Sequence, residues 1–387
     1  MDSKLKYRAA NVLFVILLSG CQTIQFENPR ISSEANWLTD GKNHERSRSY
    51  EQPINPPLEL VWEYSANAGF GPGSPLILAD QVLVATRKGE VHSIELETGR
   101  GRGFKNMGDV IEGTPVISDG IMFVPTAWGK RVLIAFDLQK GVIKWRVGGI
   151  PFDTALISFQ DLVVGADVEG NVRAYQKTDG REAWSMSLGE RQSVKASPLL
   201  LDEHKMFIAT DTGLVHLLDL NTSEILWSED VGAPVYNSPS AISGSIYLGT
   251  TRGDVVKLSA TNGEIQWSVR PNDAQVRIGQ IAVDEKTVFF GATDGKVRAV
   301  NSTSGSLVWE IQLPDVVSGA PLVTEGHVFI GTMGEELYSV SAETGEIEWT
   351  VETKGRIKSA MAVAKEGLIV LSEPKWVSYY KRVENEN

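Results

Sequence analysis

The sequence predicts an all-β chain folded as an eight-bladed β-propeller, and three observations carry that prediction. Seven tryptophans and one phenylalanine, Trp62, Phe104, Trp145, Trp184, Trp227, Trp267, Trp309 and Trp349, follow one another at intervals of 42, 41, 39, 43, 40, 42 and 40 residues. That period belongs to propellers and solenoids. The ring residue follows a polar turn with a glycine, as in SATNGEIQW at 259–267 and SAETGEIEW at 341–349. The segments between turns alternate apolar and polar residues at period two, rich in Val, Ile and Thr, which marks short strands and excludes helical repeats.

A single unit shows the elements in order. Between Trp267 and Trp309, QVRIGQIAV and TVFFGAT read as two strands, DGK as a turn, VRAVNS as a third strand, TSG as a second turn, and the stretch holding Trp309 as the fourth. Four short strands in about 40 residues make one propeller blade. The turn glycine supplies the positive φ that a tight hairpin needs. The aromatic ring then opens the outer strand, where it can lie on the neighbouring blade and bury on the order of 150–250 Å², so eight such rings, Phe104 among them, are expected to staple eight blades. Trp62, Trp145, Trp184, Trp227, Trp267, Trp309 and Trp349 are therefore expected to dock blades and not to cage a cofactor.

Strand counting at the two ends predicts closure. The last unit runs RIKSAMAVA, GLIVLSE and WVSYYKRV and stops one strand short, while LELVWEY at 58–64 has an outer-strand Trp with no inner strands before it. Joining the two completes blade eight and removes the open edges that invite aggregation. The propeller is expected over residues 58–383, with 384–387 as a tail.

Ahead of the ring, residues 1–20 read as an export signal: Lys4, Lys6 and Arg8 precede an apolar run from Ala9 to Leu18, too short to remain as a membrane-spanning helix. Leu18-Ser19-Gly20-Cys21 resembles the lipobox of bacterial lipoproteins. That resemblance implies a diacylglycerol on Cys21, and Gln22 in place of Asp implies sorting to the outer membrane; a simple secretory signal is the plainer alternative. Residues 21–57, polar, Pro-bounded and unrepeated, read as the lipidated cysteine and a tether. Loss of residues 1–20 takes the net charge from −12 to −14. An acidic chain without a basic stripe is not expected to bind nucleic acid, and a lone cysteine excludes internal disulfides.

The blade phrase resembles that of pyrroloquinoline-quinone (PQQ) repeat proteins, of which one group is catalytic. Quinoprotein dehydrogenases imply PQQ with calcium, an Asp base and a disulfide of adjacent cysteines. Here Cys21 is the single cysteine, and His44, His92, His204, His216 and His327 are scattered without ligand spacing. GFGPG at 69–73 precedes a strand, so it reads as a turn and not a phosphate loop. No catalytic group, metal or cofactor is expected.

Lipobox, tether and ring in this order resemble the family of outer-membrane β-barrel assembly factor B (BamB), which implies a periplasm-facing, non-catalytic scaffold that binds the POTRA domains of the barrel-inserting subunit. An envelope-anchored propeller binding another protein, a peptide or a glycan is the alternative, and in either case a monomeric ring is expected. The family binds its partner through residues just before inner strands of central blades. Here those places read RQSVKASP at 191–198 and GAPVYNSP at 232–239, so Ser193, Lys195, Pro234 and Tyr236 stand where the family has Arg, Glu and two Asp. No partner-binding residue is carried over. Aligning the small-residue-Pro steps that open the inner strands gives a rim set instead: Pro72, Glu112, Phe152, Lys195, Tyr236, Arg277, Ser318 and Lys358. Variation inside a repeat is where function can lie. Lys195, Tyr236, Arg277 and Lys358 are the expected docking arc for an acidic or extended polypeptide.

Overall fold

The computed structural model describes Ile24, residues 36–271 and residues 276–382. The export signal, Cys21 and the tail at 384–387 lie outside these residues. Within them the repeated phrase folds each time into four antiparallel strands. In blade 1 these are Leu76–Leu78, Gln81–Ala85, Glu90–Glu95 and Gly101–Asn106. The innermost strand is short and wholly buried, because it faces the channel on one side and its own sheet on the other. Outer strands such as Glu182–Ser187 alternate between exposed and half-buried, as the edge of a sheet does.

Six further blades follow at 116–147, 157–187, 199–230, 240–269, 278–312 and 322–352. Blade 8 takes three strands from the C-terminal end, Ala362–Ala364, Gly367–Ser372 and Trp376–Lys381, and its outer strand, Glu59–Ser65, from the N-terminal end. Trp62 lies opposite Tyr379 in that pairing. The ring is thus closed as the strand count requires.

All eight outer strands share a feature that alternation alone does not reveal. Their pairing with the third strand slips by one residue, leaving Val61, Arg102, Lys144, Ala183, Leu226, Gln266, Val308 and Glu348 unpaired. A bulge of this kind bends and twists an edge strand, which blunts its capacity to template pairing with another chain. It also sets the side chain after it. In seven blades that side chain is a tryptophan, whose ring is turned onto the next blade. Indole N–H groups of Trp62, Trp145, Trp227, Trp267 and Trp309 donate to carbonyls of Leu96, Lys177, Ala260, Ser302 and Ala342 at 2.7–3.2 Å. Trp184 packs against an apolar cluster shared by blades 3 and 4, and Trp349 meets Tyr380 edge-on at 6.4 Å.

The turn glycine is the other half of this joint. Gly99, at φ +69°, lies against the Trp62 ring so closely that a Cβ would fall 2.6 Å from it. Gly345 lies on Trp309 in the same way. The glycine of one blade therefore serves both its own hairpin and the preceding blade's tryptophan.

Blade 1 departs from the expected aromatic series. Its bulge leaves out Arg102, so the position after it is Gly103, and Phe104 falls one residue later, on the opposite side of the strand. A one-residue offset reverses which face a side chain occupies. Phe104 is accordingly 46% exposed and stacks on His92 of its own blade at 5.3 Å. Seven indole rings, not eight aromatic rings, dock the blades.

The stretch expected to be a tether is also different, since residues 36–50 run inside the ring. Trp37 makes a bridge to Ile77 in blade 1, and backbone carbonyls of Leu38, His44, Glu45, Ser47 and Arg48 accept from Ile117, Leu200, Ala241, Val283 and Val323. Ser49–Tyr50 then adds in parallel to the innermost strand of blade 7, Leu322–Thr324. The inner strands of six blades are thus tied to one axial segment. Asn36 accepts from Ala79 in the first turn of blade 1, which places the start of this segment at the face formed by those turns, while Asp40 accepts from Ser74 at the other end of the same inner strand. That face is the closed face of the channel.

Candidate functional site: the open mouth of the channel

At the opposite end of the inner strands, the loops that join each outer strand to the next blade surround an open mouth. Seven of the eight rim residues singled out in the sequence line one of two cavities there. The larger, about 410 Å³, is bounded by Pro72, Glu112, Lys195 and Lys358 together with Trp128, Arg87 and Asp153. The smaller, about 280 Å³, is bounded by Tyr236, Arg277 and Ser318 with Asn237, Thr250, Thr251 and Thr293. The expected arc is therefore divided between two cavities, Lys195 and Lys358 in one and Tyr236 and Arg277 in the other. Phe152 is the exception: it is fully buried and packs edge-on against Tyr175 at 6.4 Å. Asp153, one residue on, takes the rim position.

Rigid backbone holds these side chains. Gly71 sits so close to Glu112 that a Cβ would fall 2.0 Å from its carbonyl oxygen, and one on Gly73 would fall 1.7 Å from the Thr114 hydroxyl. The GFGPG loop thus lies flush on the next blade, and its carbonyls are engaged: Gly71 accepts from Ser359 at 2.7 Å and Pro72 from the Ala360 N–H at 3.0 Å. Arg277 is fixed by a pair of bonds to Thr293, its N–H donating to the hydroxyl at 3.0 Å and its carbonyl accepting the Thr293 N–H at 3.1 Å.

Blade 6 is built differently from its neighbours. Five blades open with a small residue and Pro, but here Gly279-Gln280 stands in that place, and the inner strand, Ile278–Val283, has six residues instead of three. The Gln280 side chain is buried; its amide N–H donates to Pro72 of blade 1 across the channel at 3.1 Å, and its carbonyl accepts Arg48 of the axial segment at 2.8 Å. A glutamine in a proline position thereby ties the mouth to the axial segment.

Charge at the mouth is partly neutralised. Arg87 is held by Glu112 at 3.0 Å and by Glu373 at 3.5 Å, and Lys195 Nζ by Asp153 at 2.6 Å. Among the described residues, Arg277 and Lys358 have no acidic partner. Two free cations at one opening, in a chain of net charge −12, favour an anionic visitor by local field alone. Two aromatic surfaces stand beside them, Tyr236 at 52% exposure and Trp128 at 68%. Sequence reasoning missed Trp128. Its signal was that, of ten tryptophans, only Trp37, Trp128 and Trp376 fall outside the repeat period.

Among the described residues, no group of three or more His, Cys, Asp or Glu side chains could hold a metal ion. His92 and His216 are strand residues bonded to neighbours: Tyr64 at 2.9 Å and Glu90 at 3.2 Å for the first, Ser228 at 2.7 Å and Gln192 at 2.8 Å for the second. This donor set, with its single cysteine at position 21, does not fit a calcium-bound quinone.

The comparisons with known proteins agree with the geometry. The family described as "Outer membrane protein assembly factor BamB" matches residues 55–168, 168–317 and 314–381, the whole ring. The chain belongs to that family. Curated BamB proteins are similar at low identity, among them that of Legionella pneumophila, 25% identical over 199 residues, which are 49% of this chain and 50% of the relative. The chain thus spans about half the length of the curated relatives it matches. Among solved structures, BamB from Moraxella catarrhalis superposes with a TM-score of 0.70 at 20% identity, covering 84% of this chain and all of that one. Quinohemoprotein alcohol dehydrogenase from Comamonas testosteroni reaches 0.76 at 14% identity, covering 91% of this chain and 82% of that one. At such identities both structures speak for the fold alone, an eight-bladed ring shared by a BamB protein and an enzyme.

Proposed function

We propose that this chain is a lipid-anchored, non-catalytic scaffold of the outer membrane that faces the periplasm and assists the assembly of β-barrel proteins there, docking its protein partner at the open mouth. Family membership across residues 55–381 supports the assembly role. The observation that carries the docking face is the mouth itself: two cavities on rigid backbone, two exposed aromatics and two cations without an acidic partner among the described residues, in a ring whose channel is filled by its own chain. Exposed Tyr and Trp beside Arg are the side chains that dominate protein interfaces. Lys195, being held by Asp153, contributes less than Arg277, Tyr236 and Lys358. The POTRA domains of the barrel-inserting subunit are the proposed partner, and Cys21 the proposed lipid attachment. These rest on the family resemblance and on the Leu18-Ser19-Gly20-Cys21 motif.

Capture from solubilised envelopes tests the docking face. The full chain is expected to retain a POTRA-containing subunit, and Tyr236→Ala with Arg277→Ala to weaken that retention most at low salt, where rim charges act over the longest range. Equal retention by the double variant would remove the mouth from the proposal. The anchor is tested separately: Cys21→Ala is expected to give soluble or uncleaved protein, and membrane partitioning of a cleaved variant would contradict it.

A further inference from the structure

The axial segment buries more positive than negative charge. Arg46 and Arg48 are each 1% exposed, and Asp40 is 2% exposed. A single carboxylate oxygen, Asp40 Oδ2, faces both guanidinium groups, 3.2 Å from Arg46 Nε and 3.9 Å from Arg48 Nη2. The other oxygen is engaged by the Ser74 N–H at 2.9 Å. Arg48 also donates to the Arg46 and Ile281 carbonyls, the Ser240 hydroxyl and the Gln280 amide oxygen. These acceptors are neutral, so they satisfy N–H groups without cancelling charge.

Neighbouring titratable groups do not supply the missing charge. Glu45 adjoins Arg46 in sequence, but its carboxyl is pushed up by burial and by the acids Asp202 and Glu285, which places it in an acidic group apart from the arginines. His44 is held down to about 4 by burial, Arg46 and Lys177, so it is neutral at physiological pH and adds no charge of either sign. Two guanidinium nitrogens, Arg46 Nη1 and Arg48 Nε, are buried without a hydrogen-bond partner among the described residues. Both are donors, so the group they lack is an acceptor. A buried charge left uncompensated costs several kcal/mol, and a water molecule would satisfy the donors but leave the excess charge in place.

We infer that Arg46 and Arg48 hold a small monovalent anion, of about chloride size, as a structural ligand of the axial segment. One negative charge balances the pair against Asp40, and a position inside the ring of inner strands limits the ligand to a small ion. This site lies beneath the mouth, joined to the rim through Gln280 and Ser74, but it is fully buried and does not depend on the proposed partner.

Bromide is the probe, because it is chloride-like and visible by anomalous scattering. The full chain in detergent is melted at constant ionic strength while sodium gluconate, whose anion is too bulky, is replaced by sodium bromide. The expected result is a melting temperature that rises with the logarithm of bromide concentration, as for a ligand bound only by the folded state. Arg46→Gln is expected to remove that dependence. Crystals of the unaltered chain grown in bromide are expected to show an anomalous peak within hydrogen-bond distance of Arg46 Nη1 or Arg48 Nε. This map decides even if the variant fails to fold: ordered water there without an anomalous peak overturns the inference.

Discussion

The axial segment and the open mouth use polar residues in opposite ways. On the axial segment, Asp40, Arg46 and Arg48 are fully buried, and their bonds reach residues as distant in sequence as Ser240 and Ile281. At the mouth, Tyr236, Arg277 and Trp128 are exposed and touch little of the ring. One set is consumed in holding blades together; the other is left free at no cost to the fold. Binding residues of a propeller are therefore to be sought where polar groups are unpaired, and stability where they are paired.

That contrast predicts a graded series of effects. The largest is expected from Arg48→Met, which strands the Gln280 amide oxygen, removes one of the two donors to the Ile281 carbonyl and leaves Asp40 with one cation; breaking such a buried pair costs about 3–5 kcal/mol, readable by denaturant melting. Gln280→Ala breaks only the bonds to Pro72 and Arg48, and a loss of about 1–3 kcal/mol is expected. Either variant melting like the native chain would erase the distinction between axial segment and mouth.

Next in size is a pH effect confined to buried histidines. His44 is held at about 4, and burial lowers His92 and His216 as well. Each therefore binds its proton more readily in the unfolded chain. Stability should be fully present above about pH 6.5, the unfolded value, and should fall as pH drops from there toward 4. His44→Asn is expected to flatten that slope in melts run across the range. The smallest effect belongs to the mouth: Trp128→Ala and Tyr236→Ala should each change stability by no more than about 0.5 kcal/mol, as surface substitutions do.

The sequence made the ring legible because every blade repeats the same instruction. Turn, glycine, tryptophan and the small-residue-Pro step recur, and the missing strand at one end matches the spare one at the other. Phe104 was misread because aromatic spacing was counted while the bulge that sets each ring's direction has no signature in a single unit; Gly103 occupies the docking position instead. Residues 36–50 read as a tether because a polar, unrepeated stretch suits solvent. What buries them is a set of partners up to 233 residues away, which no local pattern announces. At the mouth, alignment of the Pro steps found the rim but not its pairing. Lys195 is neutralised by Asp153 from the preceding loop, Phe152 turns inward, and Trp128 lies outside the aligned positions.

The difference between the two faces is tested most directly by photo-crosslinking in the native envelope. A photoreactive residue is placed singly at Trp128, Tyr236 or Lys358 on the mouth, and at Glu203 or Glu325 in the turns of the opposite face. The expected result is cross-linking of the barrel-assembly partner from the mouth positions and none from the turns; cross-linking from Glu203 or Glu325 with none from the mouth would contradict it.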